Sequence, residues 1–530
     1  MTDSPLTFVT LPPEVIGEIV SVLPKVDLLR LRCVSRHLAF IITPHAFRSL
    51  NLHGCGDRPE RFMKIAESNH LSGYVREINC DTWGGRHADY PEGPRKFTPN
   101  NLDRDFPSDF FDALPFLVCF RNLKALHLRC GRDHDTPYFT IMREPPSFLR
   151  AIFDIIFHCL AGTWSDDKQR QLQDAWRGGG YKAKKTPLNL PTDLIPITTL
   201  TISNLIEYTD PLLTNSTQFQ SVLGSSSLVD LRLYIATQTY GKHREWDLDT
   251  ETPEQYEMFT SLPSTWLSLS VAANLQVLSL YCHERWGWLP QIDSQMNGLD
   301  GEIPNLKVLS LGRFVFSHPS QIDWVGSLGL EKLYLHDCAV LHKSAKPINV
   351  RMSKIAAARR ARGRDIFANE EGYNGENPDD VFPGYIGWHN ILSHWRESMS
   401  ELRVFKVAYG EKVRQTRRDP RDPFLYTSTQ SANVFRYFDS PSTNDSGHVV
   451  SDNGNGKVHT HEDRLAYVYY EGFDGGAEVA SYMKARNASL ELIGEKYLER
   501  GLTSKDEAAL SLLEATVEAR RMRMVLYRGQ

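Results

Sequence analysis

The sequence lacks the features that would place it in a simple class. Its eight cysteines, Cys33, Cys55, Cys80, Cys119, Cys130, Cys159, Cys282 and Cys338, include no CxxC pair. Thiols this sparse exclude a disulfide scaffold and give no zinc spacing, so a reducing compartment, cytoplasmic or nuclear, is expected. No apolar run approaches the ~20 residues that span a bilayer, and no secretory pattern opens the chain, so no membrane partner is expected. The N-x-[ST] sequons at Asn215, Asn444 and Asn487 are read as chance for the same reason. A strong charge of one sign is missing too. The formal net charge of −5 over 530 residues argues against a general nucleic-acid binder and leaves room only for local basic patches. The strings of common hydrolases are also absent. There is no G-x-S-x-G and no HExxH, and "HTHED" (459–463) lies at the edge of a turn-rich segment. No nucleophile stands beside its base in the sequence, so no catalytic residue, metal or cofactor is expected, and the chain is not read as an enzyme.

What is present is apolar material: 41% of the residues are hydrophobic, enough for a large core and more than one domain. The stretch "LTFVTLPPEVIGEIVSVLPKVDLLRLRCVSRHLAFIITPHAFRSLNL" reads as three short helices. Thr10 can cap the first, with Pro12 and Pro13 in its opening turn and Ile16, Ile19, Val20 and Leu23 at helical spacing before Pro24. Asp27 offers a second cap before Leu28, Leu29, Leu31 and Val34. Ser35 begins a third helix through Leu38, Ile41 and Ile42, and Pro44 is expected to end it. Each helix is shorter than the ~12–15 residues at which an isolated helix becomes marginally stable. Leu28 and Leu29 cannot both face one small core, so part of this surface is expected to meet something else.

"LPPEVIGEIVSVLP", "DLLRLRCVSRHLAFII" and the trailing "FRSLNL" resemble an F-box in order and spacing. The resemblance covers about the first tenth of the chain. It implies docking on the Skp-family adaptor of a cullin–RING (SCF) ubiquitin ligase through Leu11, Pro12, Glu14, Ile19, Leu23, Leu28, Leu29, Leu31, Val34, Ser35 and Arg36. An ordinary N-terminal helical cap is the plainer alternative.

Further along, a phrase of the form LxxLxL recurs as "LKALHL" (123–128), "LVDLRL" (228–233), "LQVLSL" (275–280), "LKVLSL" (306–311) and "LEKLYL" (330–335). "VREINC" (75–80), "ITTLTI" (197–202) and "LRVFKV" (402–407) are weaker copies. Period-two alternation in each predicts a half-buried strand. A recurring strand that cannot bury its own leucines is the signature of leucine-rich repeats, here irregularly spaced. An unrelated α/β fold with leucine-rich strands is the alternative. "SFLRAIFDIIFHCLAGTW" (147–164) and "HNILSHWRESM" (389–399) are expected as outer helices.

The fold class expected is thus α/β: a small N-terminal three-helix F-box, then an irregular leucine-rich-repeat solenoid of parallel strands and outer helices, with a C-terminal helical cap. The divisions are 1–52 for the F-box, 53–415 for the solenoid with insertions, 416–462 for a polar, partly disordered loop, and 463–530 for the last strand and capping helices. "RLAYVYYEGF" (464–473) supplies that strand and "KDEAALSLLEATVEARRMRMVL" (505–526) an amphipathic helix. Strand phase predicts a concave face bearing His127, Arg129, Asp230, Arg232, Tyr234, Ser279, Tyr281, Lys332, Tyr334, His336 and Lys406, side chains suited to partner recognition. The basic segment 350–365 reads as an exposed insertion helix or a nuclear-import signal, and 439–457 as a disordered loop.

Together these features predict a substrate receptor. The F-box anchors the chain to the ligase and the repeat face holds an unknown protein target, raising its effective concentration near a charged conjugating enzyme. A repeat scaffold that recruits no ligase is the alternative.

Overall fold

The computed structural model describes residues 11–53, 57–82, 108–130, 146–177, 193–206, 209–236, 258–259, 261–287, 303–344, 386–408, 465–470, 490–492 and 502–528. They fall into two compact units, residues 1–204 with 210–230, and 205–209 with 231–530. The expected features at 350–365, 416–462 and Thr10 lie outside the described residues.

The first unit opens with three helices: α1 (Pro13–Ser21), α2 (Lys25–Leu31) and α3 (Arg36–Ala46). Prolines 12 and 24 occupy the cap positions of α1 and α2 without a side-chain bond, so Asp27 lies inside α2 and not at its cap. There its carboxylate favours the positive end of the helix dipole. Ser35 does cap α3, its Oγ accepting the Leu38 N–H at 3.1 Å. The stop expected at Pro44 is corrected: α3 runs on to Ala46. A proline in a last turn removes one N–H and tilts the turn, but little helix remains for it to break. Ile16 and Val20 from α1, Leu28 from α2, and Leu38, Ile42 and Ala46 from α3 close a small core. Their spacing of four puts each set on one helix face.

Strand β1 (Ser49–His53) follows α3 within the same unit, and β2 (Glu77–Asp81), β3 (Ala125–Arg129) and β4 (Thr199–Ile206) come after it. They pair in parallel and in register, so Leu50, Ile78, Leu126 and Leu200 form one row. Helices α4 (Arg58–Glu67), α5 (Pro146–Leu160) and α6 (Thr217–Leu223) close the leucine side. Phe62 meets Phe120 and Phe157 meets Phe219, with centroids 5.1 Å apart in each pair.

The second unit carries on from β5 (Asp230–Ala236), whose first residue still belongs to the first unit, through β6 (Val277–Trp286) and β7 (Val308–Phe316). There the sheet forks. The first half of β7 pairs with β8 (Lys332–His336) and its end with β9 (Ala339–Ser344). β8 goes on to β10 (Val404–Ala408), whereas β9 goes on to β11 (Ala466–Tyr470) and the antiparallel β12 (Leu490–Leu492). Two non-glycine residues with positive φ, Arg313 (57°) and Asp337 (53°), mark the fork. Such backbone costs roughly 1–2 kcal/mol per residue and needs outside support. The Asp337 carboxylate supplies it by accepting from Arg313 Nε at 2.9 Å and from Arg285 at 3.3 Å.

Helices α7 (Pro319–Ser327), α8 (Trp388–Ser398) and α9 (Leu502–Arg528) cover this unit's core. At one end of α8 the buried Asp506 of α9 accepts the His389 backbone N–H at 2.8 Å and the Tyr467 hydroxyl at 2.6 Å. At the other, Arg520 donates to the Arg396 and Met399 carbonyls at 2.9 and 2.7 Å. Each charge complements the end of α8 it touches. The strand expected near 464–473 and the C-terminal helix are both present.

The chain is thus a three-helix region followed by a mixed α/β region built on a parallel sheet. Every apolar position of the LxxLxL phrases is buried, from Val75, Ile78 and Cys80 to Leu402, Phe405 and Val407. One backbone device recurs as well. The carbonyl just before a strand accepts two successive N–H groups of the next phrase: Arg48 from residues 76 and 77, Arg76 from 124 and 125, and Lys124 from 198 and 199. Gln276, Lys307 and Glu331 do the same in the second unit.

Candidate docking surfaces

The closed core of the helical trio leaves a second apolar population outside it. Val22 is 80% exposed, Phe40 78%, Val34 67%, Val26 59%, Val15 43% and Leu29 39%. Six large exposed apolar side chains on so small a unit make it a candidate interaction surface, since scattered single ones are ordinary. Of the residues expected here, Leu29 and Val34 are exposed, as are Pro12, Glu14 and Arg36. Leu11, Ile19, Leu23 and Leu31 are half-buried. Ser35 is half-buried and engaged as a cap. Leu28 is a correction: it is 6% exposed inside the trio's own core and offers almost nothing to a partner. Sequence reasoning missed Val15, Val22, Val26 and Phe40. Their helical offset from Ile16, Val20, Leu28 and Leu38 was the available signal, because a residue one or two steps from a core position faces elsewhere.

The stretch from Leu28 to Gly56 is basic, holding Arg30, Arg32, Arg36 and Arg48 and no acidic residue, whereas α1 exposes Glu14 and Glu18, and Asp27 pairs with Arg30 at 3.2 Å. Arg32 is partly committed, its Nε donating to Thr43 Oγ1 at 2.9 Å and its guanidinium lying 5.0 Å from the Phe47 ring centroid.

On the strand face opposite the leucines, the expected residues divide. In the first unit, His127 is half-buried, 3.7 Å from Glu77, and Asp230 is half-buried. Arg129 turns inward to Asp81 at 3.4 Å. His53 lies 3.6 Å from the same carboxylate, but burial, with Arg58 and Arg129 adding to it, pushes its imidazole down to about 3. Near neutral pH Asp81 therefore faces an uncharged imidazole and the Arg129 guanidinium. In the second unit Lys332 is exposed, and Arg232 and Lys406 are half-buried.

Tyr234, Tyr281, Tyr334, Ser279 and His336 are corrections. All were expected on an open wall, and all are buried. The three tyrosines form a cluster of their own against Val277, Val308 and Val404. For Tyr281 the cause is a glycine. Gly312 stands between Tyr281 and His336 in register, and a Cβ there would come within 1.8 Å of Tyr281 Cδ2. With no side chain on Gly312, the Tyr281 ring lies across β7, its hydroxyl reaching His336 Nδ1 at 3.3 Å and its centroid 5.2 Å from that of Tyr234. Burial holds the His336 imidazole down to about 4, against the pull of Asp337. A lone Gly inside a strand signals close approach, and "LKVLSLGRF" contained that hint.

Among the described residues, no group of three or more His, Cys, Asp or Glu could hold a metal ion. No described helix is long and apolar enough to cross a membrane.

Residues 8–50 match the F-box domain family. The helical trio is therefore an F-box domain, the unit through which proteins dock on a Skp-like adaptor of cullin–RING ligases, and the class acts generally as adaptors and not as enzymes. No curated protein matches the chain.

Proposed function

We propose that this chain is a substrate-recognition adaptor of an SCF-type ubiquitin ligase, with the F-box docked on a Skp-family adaptor and a leucine-rich-repeat strand face holding a protein target. The observation that carries the first half is the exposure of Val22, Val34, Phe40 and Leu29 around a core that is already closed. Folding alone does not account for those side chains, and a partner helix does. The buried LxxLxL positions and the recurring two-donor carbonyl support the repeat reading. The chemistry is positional: a target held on the chain gains effective concentration near the conjugating enzyme, with no residue of this chain in the transfer. A cytoplasmic or nuclear location suits that role.

The test is co-expression with a Skp-family adaptor. The wild type should co-purify, and Val34→Asp with Phe40→Asp should not, because both positions are exposed and a charge there leaves the fold intact. Equal recovery of wild type and double variant, or none of either, would overturn the proposal. For the target face, Arg232→Glu with Lys332→Glu should reduce target capture while adaptor binding stays the same.

A further inference from the structure

We propose that Ser35 is a phosphorylation site for a basophilic serine/threonine kinase, and that its phosphoryl group switches off docking of the F-box. The switch rests on the adaptor-docking function proposed above; the phosphorylation does not.

The sequence around Ser35 is Arg30-Leu31-Arg32-Cys33-Val34-Ser35, an R-x-R-x-x-S arrangement that occurs once in the chain. Arginines three and five residues before the acceptor are what a kinase with acidic subsites reads. The local structure presents this stretch. Residues 32–34 form a turn and Ser35 is extended, with φ −154° and ψ 158°. Cys33, Val34, Arg36 and His37 are exposed on either side of the half-exposed acceptor. Arg30 is the penultimate residue of a seven-residue helix, so fraying of its last turn brings the whole motif into extended form. The Ser35 Oγ uses a lone pair to accept the Leu38 N–H, and no acceptor for its own proton appears among the described residues. In the transfer, Oγ attacks the γ-phosphorus of a nucleoside triphosphate. The bond from that phosphorus to the β–γ bridging oxygen breaks, the diphosphate leaves with its electron pair, and the hydroxyl proton passes to the kinase's base.

The product has two consequences of opposite sign. A group of charge near −2 at the N-terminus of α3 strengthens the existing cap and favours the positive end of the helix dipole, so the trio becomes more stable. The same charge offsets the positive charge that Arg30, Arg32 and Arg36 give this stretch. It also sets a strongly hydrated group beside exposed Val34 and Leu29, where a partner would have to strip its water. Phosphorylation and docking therefore exclude each other.

The experiment uses the full chain, a purified basophilic kinase with an arginine preference at the third and fifth preceding positions, and magnesium ATP. Peptide mass mapping should place one phosphate on Ser35. Arg30→Ala, which leaves the cap untouched, should slow incorporation by roughly tenfold or more. The phosphorylated chain should bind the purified Skp-family adaptor at least about tenfold more weakly and unfold at a higher temperature. Absence of phosphate at Ser35 overturns the site. Undiminished adaptor binding by a chain shown to carry the phosphate overturns the switch. An unmodified chain that never binds the adaptor overturns the docking function, and the switch with it, while the mass map still decides the site.

Discussion

Adding a single methyl group at Gly312 tests whether the Tyr281 ring lies across β7. A Cβ at this position would sit 1.8 Å from Tyr281 Cδ2 and 2.3 Å from Cε2, far inside contact distance, so the Tyr281 ring must leave. The ring then forfeits its bond to His336, about 1 kcal/mol, and its packing on Tyr234, about another 1 kcal/mol. Exposed aromatic area and a displaced neighbour add to this, and the lower chain entropy of alanine returns roughly 0.5–1 kcal/mol. The balance for Gly312→Ala is a loss of about 2–3 kcal/mol. In a unit of this size that lowers the melting temperature by about 3–5 °C. Differential scanning calorimetry reads the shift, and hydrogen exchange of the β7 amides localises it. The decisive arm is the double variant. In a Tyr281→Ala background the clash is gone, so Gly312→Ala should be neutral or slightly stabilising. An equal penalty with and without the Tyr281 ring would refute the packing argument.

Three further outcomes follow from the same geometry. Leu28→Ala should cost about 2–5 kcal/mol and unfold the F-box, whereas Leu29→Ala should stay within about 0.5 kcal/mol by thermal unfolding, a contrast set by core against surface. His336 is held neutral down to about 4 against an ordinary 6.5, so as pH falls the unfolded chain binds the proton first. Stability is therefore complete above pH 6.5 and about 3 kcal/mol is lost between pH 6.5 and 4, a slope that urea titrations should find flattened in His336→Asn. Asp506→Ala should leave the Tyr467 hydroxyl and the His389 N–H without their acceptor, costing about 3 kcal/mol, with hydrogen exchange of 502–528 rising before that of the rest of the second unit.

The parts of this fold legible in the sequence are those fixed by near neighbours. Period-two alternation gave the strands at 125–129, 230–236 and 332–336, because each phrase buries the same side whatever lies next to it. Ser35 was readable as a cap because its bond reaches only three residues on. Pro12 and Pro24, expected in a first turn and as a stop, stand at the caps of α1 and α2, because a fixed φ suits a helix start as well as it ends the helix before. What could not be read depends on contacts distant in sequence. The fork hangs on Asp337 meeting Arg285 and Arg313, and no glycine announced the positive φ at either end. Strand phase placed the tyrosines on the correct face but could not say that they are buried, since for Tyr281 that is decided by the missing side chain of Gly312 on the neighbouring strand. The choice of Leu28 over Leu29 for the core was likewise a matter of how α2 turns against α1 and α3.

The most direct measurement is the affinity of the full chain for a purified Skp-family adaptor by isothermal titration, with Phe40→Ala as the comparison. Phe40 is 78% exposed, and loss of an aromatic side chain that anchors an interface costs about 2 kcal/mol, so the variant should bind roughly thirtyfold more weakly at an unchanged melting temperature. Equal affinities for wild type and variant, or no heat of binding from either, would contradict the assignment of this face to the ligase.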